Sequence, residues 1–344
     1  MASVADIPKA IRRFGLFGMF KKLWREIGED ELFTAAAALS YSWLFALFPF
    51  ILFLITLIPL IPEEYREGAR HQLLVQIYDN LPKEAADTIW VNIRGRVDEL
   101  LRQSATALPI IGLILTLWAA SGGVAATMAA IDKCYDVQKP RPIYKQRPLA
   151  MGLTIILVIL VLLVLLLVPI GSLVTRWATD RIAERGWQDF LPLLVFWQFA
   201  RYAIGVLLML AILALLYHFG PNIRGRRFRF FSPGAIFVVA MWLLLGFAFK
   251  FYIEKFGKYN ETYGTVGGVV ILLLLFYLDA LVLLIGAEIN AELDEAVVGK
   301  PVGIAEAEAD GIALKSDAVE KLERQAREDQ KQQIDEAGTR DRKS

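Results

Sequence analysis

The chain reads as an all-α, polytopic membrane protein with six transmembrane helices and a small periplasmic helical cap. Three observations carry that expectation. Between Arg147 and Arg176 run 28 residues without a charge, most of them Leu, Val and Ile. About 20 apolar residues at ~1.5 Å per helical residue already cover the ~30 Å hydrocarbon core of a bilayer. Other long apolar blocks flank this run on both sides. Hydrophobic residues make up 56% of the 344 and mean hydropathy is +0.47, where soluble domains hold roughly 45–50% apolar residues.

Residues 1–33 come first, as a cytoplasmic amphipathic segment. Ile11, Phe14, Phe17, Phe20, Trp24 and Ile27 recur at three- or four-residue steps with basic residues between them. That is the pattern of a helix lying in the membrane interface near anionic headgroups, or of one packing on the bundle. No short apolar core with a small-residue cleavage site is present here, so the first apolar block reads as a retained anchor.

The membrane domain spans 34–293, with helices expected over about 34–61, 107–131, 149–173, 195–219, 231–253 and 266–290. Pro49 and Pro169 fall inside spans, where neighbouring helices re-satisfy freed backbone groups. Orientation follows from the loops, since cytoplasmic loops are enriched in Lys and Arg. Lys133, Lys139, Arg141, Lys145 and Arg147 flank one connection, and Arg224, Arg226, Arg227 and Arg229 fill another on the same side. The N-terminal segment is basic too, whereas 62–106 is net acidic. Six spans with both termini in the cytoplasm fit this distribution. Ile89, Ile93, Val97 and Leu100 make 62–106 a helical cap on the outer face. From 294 to 344 the chain is charged and poor in large apolar residues, which predicts a disordered cytoplasmic tail.

Composition also excludes several chemistries. The net charge of +1 singles out no partner. One cysteine, Cys134, permits no intrachain disulfide framework, and His71 and His218 are not at ligand spacing. No cofactor, metal site or catalytic residue is assigned, and the chain is not read as an enzyme.

Candidate functional positions therefore come from polarity and size inside the spans. Asp279 lies near the middle of the sixth span, where a charge costs roughly 2.5–3.5 kcal/mol on insertion scales. It reads either as a buried hydrogen-bonding group or as a proton or ion site. Glu288 and Asn290 close the same span, Tyr41 and Ser42 lie in the first, and Arg201 enters the fourth from outside. Interface snorkelling is the favoured reading of Arg201 and Glu288, ahead of a functional role. Thr34, Ala38, Ser42 and Ala46 recur at four-residue steps, and Gly122, Gly123 and Ala126 belong to a broader small face on the second span. Small faces of this kind let helix backbones approach closely in lipid, or line a path for a substrate.

The stretches AAALSYSWLFALFPF (Ala36–Phe50), LWAASGGVAATMAAIDKCYDV (Leu117–Val137), YHFGPN with SPGA (Tyr217–Asn222, Ser232–Ala235) and YGTVGGVVILLLLFYLDALVLLIGAEINAEL (Tyr263–Leu293) resemble the YihY / virulence-factor BrkB family. The resemblance covers the chain up to about Leu293 and implies a bacterial inner-membrane protein with six spans. Glu288 and Asn290 match the family's usual ending. Asp279 departs from it, since a small polar residue is commoner there, and Leu275 stands where tryptophan is usual.

The family has also carried the label of a tRNA-processing ribonuclease, ribonuclease BN. Phosphodiester hydrolysis calls for clustered carboxylates or histidines around a metal, or a comparable acid–base pair. The basic loops offer Asp132 and Asp136 alone, and the positive-inside rule already accounts for their charge. The expected function is translocation or presentation of a lipid or other amphiphile. A scaffold role in a membrane complex is the alternative, and a membrane-bound nuclease the weakest reading. Expected partners are membrane lipids and either further copies of the chain or envelope proteins, with no specific nucleic acid.

Overall fold

Every apolar run in the sequence becomes a long helix. The computed structural model describes residues 17–18, 21–57, 108–185, 191–225, 227–256 and 259–314, with 316, 318–320, 322–324 and 326 beyond them. A short helix α1 (21–29) turns at Asp30 and Glu31 into α2 (Leu32–Leu57). Then follow α3 (Leu108–Cys134), α4 (Ile143–Arg185), α5 (Leu191–Phe219), α6 (Pro233–Phe256), α7 (Tyr259–Val298) and the short α8 (Val302–Ala309). Five of these helices are long and apolar enough to cross a membrane, and α6 adds a shorter apolar stretch, Pro233–Phe249. The expected cap at 62–106 and most of the expected interfacial segment before Lys21 lie outside the described residues.

The helices α2 to α7 form a ring in which each packs on the next, and α2 meets α7 to close it. Behind that ring α3 also touches α7. We call the end carrying the 135–142 and 220–232 connections the basic end. Buried residues lie from the middle of each helix towards that end: Leu32 to Ser40 in α2, Leu210 to Tyr217 in α5, Gly234 to Val239 in α6 and Ala280 to Glu295 in α7. In the opposite halves, described side chains are partly or fully exposed; Gly171 of α4 is the buried exception. Phe48, Phe196, Phe199, Leu243, Phe247 and Val270 are among the exposed apolar groups there. Among the described residues the bundle is thus packed like a globular core at one end, while apolar side chains keep more exposed surface at the other.

Two expectations are corrected. The chain after 294 is not wholly a solvated tail. α7 continues to Val298, and α8 buries Gly303, Ile304 and Ala307. Gly303 donates its N–H to the Tyr135 carbonyl at 3.1 Å, and a Cβ there would stand 2.4 Å from that same oxygen. Farther on, Ala318 is buried and Arg324 pairs with Glu29 of α1 at 2.7 Å. Small residues let this short helix sit flush on the end of α3, so low hydrophobicity there reflects close packing rather than solvation.

The second correction concerns the four-residue stripe of α2. Ala46 faces α3, where the Cβ position of Gly123 lies 3.0 Å from it, but Thr34 and Ala38 are exposed. Four residues advance a helix by slightly more than one turn, so Thr34 and Ala46 point about 120° apart. The face that α2 buries near its start is instead Leu32, Ala36, Leu39 and Ser40.

Candidate functional site

At the basic end, polar groups from distant parts of the chain converge in a buried layer. Its foundation is the start of α6. Ser232 Oγ accepts from the Ala235 N–H at 3.2 Å, and Pro233 fills the first helical position, where no N–H is needed. The Gly234 N–H is taken by Asn290 Oδ1 of α7 at 2.9 Å, and Asn290 Nδ2 donates back to Ser232 Oγ at 3.1 Å. Fully buried, Asn290 is a second cap delivered by the neighbouring helix.

Contact this close needs glycine on both helices. A Cβ on Gly234 would stand 1.9 Å from the Gly286 carbonyl oxygen, and one on Gly286 would stand 2.5 Å from Tyr217 Oη. Tyr217 donates to the Leu283 carbonyl at 2.7 Å. The SPGA, YHFGPN and GAEIN stretches therefore meet in one place.

Arg141 finishes the layer on the loop side. Its guanidinium donates to the carbonyls of Phe219, Gly220 and Pro221 at 2.8–2.9 Å, capping the C-terminus of α5. Burial lowers its pKa, with the Asp132 carboxylate acting the other way. Asp132 accepts the Asn222 N–H at 2.7 Å, and Asn222 Nδ2 donates to the Lys139 carbonyl at 2.8 Å. These loops hold one another through backbone groups, which gives Asp132 a structural role.

Beside this layer lies a carboxylate cluster that the sequence did not disclose. Glu26 of α1 and Glu288 and Glu292 of α7 bring carboxylate oxygens within 4.8 Å of one another, all three buried. Lys22 of α1 enters from the side and pairs with Glu292 at 2.8 Å and with Glu295 at 2.5 Å. Burial opposes the charge of Lys22, but the two carboxylates outweigh it and hold the ammonium above the usual lysine range. A small cavity alongside is lined by Cys134, Tyr135, Glu288, Glu292, Glu295 and Val302. Three oxygens so placed suit a hard cation or a shared proton. This amends the expectation that no metal-ligating cluster exists. The signal was the acidic periodicity Glu288, Glu292, Glu295, but Glu26 lies more than 260 positions away.

The other anticipated positions scatter. Asp279 is partly exposed in the middle of α7 and forms no hydrogen bond or ion pair with another described residue. Tyr41 is exposed and stacks against Phe45 at 4.5 Å, and Ser42 Oγ donates to its own helix at Ala38. Gly123 and Ala126 lie along α3's packed side, and Gly122 is partly buried opposite Arg147. Sequence reasoning missed the tie between Trp43 Nε1 and Thr127 Oγ1, 3.0 Å, which joins α2 to α3. Arg201 sits in the half of α5 away from the buried polar layer.

With that geometry in hand, comparison with known proteins decides the family. The model of the family described as "Virulence factor BrkB" matches residues 23–310. The chain belongs to this family. The matched region reaches the end of α8 and so includes the polar layer and the carboxylate cluster. The chain is 31% identical over 273 residues to the ribonuclease-like protein YfkH of Bacillus subtilis (strain 168), a provisional name; 79% of this chain and 94% of that protein are covered. It is 26% identical to a UPF0761 membrane protein of Tolumonas auensis, over 83% of this chain and 86% of the relative. A UPF0761 membrane protein of Xanthomonas campestris pv. campestris (strain B100) is 25% identical over 82% of this chain, which spans 61% of that protein. No solved structure matches. The BrkB-family chain is a membrane protein, and none of these matches carries a demonstrated catalytic activity.

Proposed function

We propose that this BrkB-family protein translocates or presents an amphiphile such as a lipid, and that it is not an enzyme. One observation carries the reading: among the described residues a buried core closes the basic end, while apolar side chains of the opposite halves, Phe48, Phe196, Phe199, Phe247 and Val270 among them, stay exposed. Apolar side chains exposed in this way offer acyl chains a wall, while the packed end prevents an open pore. The family resemblance implies a bacterial inner membrane, and by the distribution of Lys and Arg the basic end and both termini face the cytoplasm. Reporter fusions after Gly220 and Lys300 then read cytoplasmic, and a cytoplasmic signal from a fusion near Lys83 reverses the orientation.

The nuclease alternative is weaker. Glu26 and Glu288 are 1% and 2% exposed, with α8 packed beside them, so they present little surface to a phosphodiester chain. The test of the proposed function is a reconstitution. In vesicles carrying a fluorescent phospholipid, a membrane-impermeant reductant bleaches only the outer leaflet unless the protein exchanges lipid between leaflets. Bleaching that goes well beyond the outer-leaflet fraction in protein-containing vesicles supports translocation. Bleaching that stops at the protein-free level, in vesicles shown to contain folded protein, removes it.

A further inference from the structure

Arg201 lies seven residues into the apolar span Leu194–Phe219, about 10 Å along the helix axis. The structure makes room for it. Gly171 of α4 faces its stem, so that a Cβ there would stand 3.1 Å from Arg201 Cδ. One turn away, Trp197 Nε1 donates to the Gly171 carbonyl at 3.3 Å and fixes the two helices at that level. Arg201 Nη2 donates to Tyr202 Oη at 3.1 Å, and the guanidinium lies 4.8 Å from the Tyr202 ring.

That phenol is the only hydrogen-bond acceptor the guanidinium has among the described residues, and no described carboxylate pairs with it. Its Nε is buried with no acceptor among the described residues. An arginine carries five donors in a rigid fork suited to planar or tetrahedral oxyanions. Helical side chains tilt towards the helix N-terminus, so this fork leans towards the interface opposite the basic end. Exposed Phe196, Phe199 and Ile204 surround the position with apolar surface.

We infer that Arg201 and Tyr202 form a headgroup site for a phosphate-bearing amphiphile in the leaflet opposite the basic end. The guanidinium takes two phosphate oxygens. Tyr202 Oη, which accepts from Nη2, keeps its own hydrogen to donate to a third. A carboxylate presents only two oxygens and fills this arrangement less completely. The acyl chains lie along the exposed side of α5. The inference rests on the amphiphile reading above and specifies its ligand.

The test is a binding titration of the purified full-length protein in detergent, read by native mass spectrometry. Dioctanoyl phosphatidylglycerol, dioctanoylglycerol and glycerol 3-phosphate are the probes. Wild type should retain the phospholipid and neither of the other two. Arg201→Gln should weaken retention about tenfold or more, as expected when a charge-assisted bond of about 1.5–3 kcal/mol is lost. Arg201→Lys, which keeps the charge but not the fork, should fall between them. Tyr202→Phe guards against misfolding of the Arg201 variants, because it leaves the stem packing intact and should still weaken retention several-fold. Equal retention by wild type, Arg201→Gln and Tyr202→Phe overturns the site. Binding of dioctanoylglycerol as tight as that of the phospholipid also overturns it. Arg201-dependent binding of glycerol 3-phosphate as tight as the phospholipid's replaces the lipid by a free phosphate. The two proposals fail separately. Lipid exchange by wild type together with equal retention by wild type and Arg201→Gln refutes the site alone, and Arg201-dependent binding without exchange refutes translocation alone.

Discussion

Replacing Gly286 by alanine tests the account of how α5, α6 and α7 meet. The added methyl would stand 2.3 Å from Val238 Cγ2, 2.5 Å from Tyr217 Oη and 2.9 Å from the Gly234 carbonyl oxygen. The last of these is backbone and cannot rotate away. Overpacking in a close-packed core costs about 1–3 kcal/mol. Displacing Tyr217 also breaks its bond to the Leu283 carbonyl, a further ~1 kcal/mol. Alanine's better helix propensity returns about 1 kcal/mol. The net loss is about 1–3 kcal/mol. Gly246→Ala is the matched control, since nothing lies within 4 Å of its added carbon, and propensity alone predicts a change between zero and a gain of about 1 kcal/mol. Unfolding of the detergent-solubilised protein, followed by circular dichroism through a denaturant titration, measures both. If Gly286→Ala proves as stable as Gly246→Ala, the close contact described at this end of the bundle is wrong.

Four further outcomes follow from the same geometry. Arg141→Lys keeps a charge but cannot span three carbonyls, and should lower stability by about 1–2 kcal/mol in the same assay. Lys22→Ala removes the ammonium between two buried carboxylates and should cost about 3–5 kcal/mol, while Lys22→Arg should recover part of it. Because the folded pKa of Lys22 is raised, its contribution is complete below its ordinary value of 10.5 and is lost as pH climbs above it. Thermal unfolding scans of wild type and Lys22→Ala should therefore converge only at strongly alkaline pH; convergence at pH 8 would contradict the pairing. Finally, purified protein should leave tRNA precursors intact with any divalent metal, and cleavage that disappears in Glu288→Gln would return the nuclease to first place.

What the sequence disclosed depended on range. Long apolar runs announced the six helices, five of them long enough to cross a bilayer and α6 shorter, because span length is a local property that no tertiary contact has to supply. Helix ends followed less well. α4 runs to Arg185, well beyond the apolar run itself, because a helix that leaves the membrane can continue in polar sequence. The motif stretches around Ser232, Gly286 and Asn290 could be recognised, yet their chemistry could not. Nothing in the spacing says that an asparagine on one helix caps another 58 positions away. The carboxylate cluster was hidden for the same reason, as Lys22 and Glu26 meet Glu292 and Glu288 only through the fold. Thr34 and Ala38 misled because a stripe of equal steps is not a stripe of equal direction. α8 misled because its burial depends on a partner surface rather than on its own hydrophobicity.

The closure of the ring by its first and last spans has a consequence for synthesis. A ribosome delivers α2 early and α7 last, yet α2 draws its packing from both α3 and α7, and α7 also supplies the cap for α6. Until α7 has been inserted, the row α2 to α6 has two open edges, Gly234 lacks Asn290, and Lys22 lacks both its carboxylates. A chain stopped by a nonsense codon anywhere before Gly286 leaves those groups without their partners, and quality-control proteases that survey the membrane recognise exposed polar groups of this kind. Premature termination in this protein should produce rapid turnover rather than partial function, however much of the chain has been made.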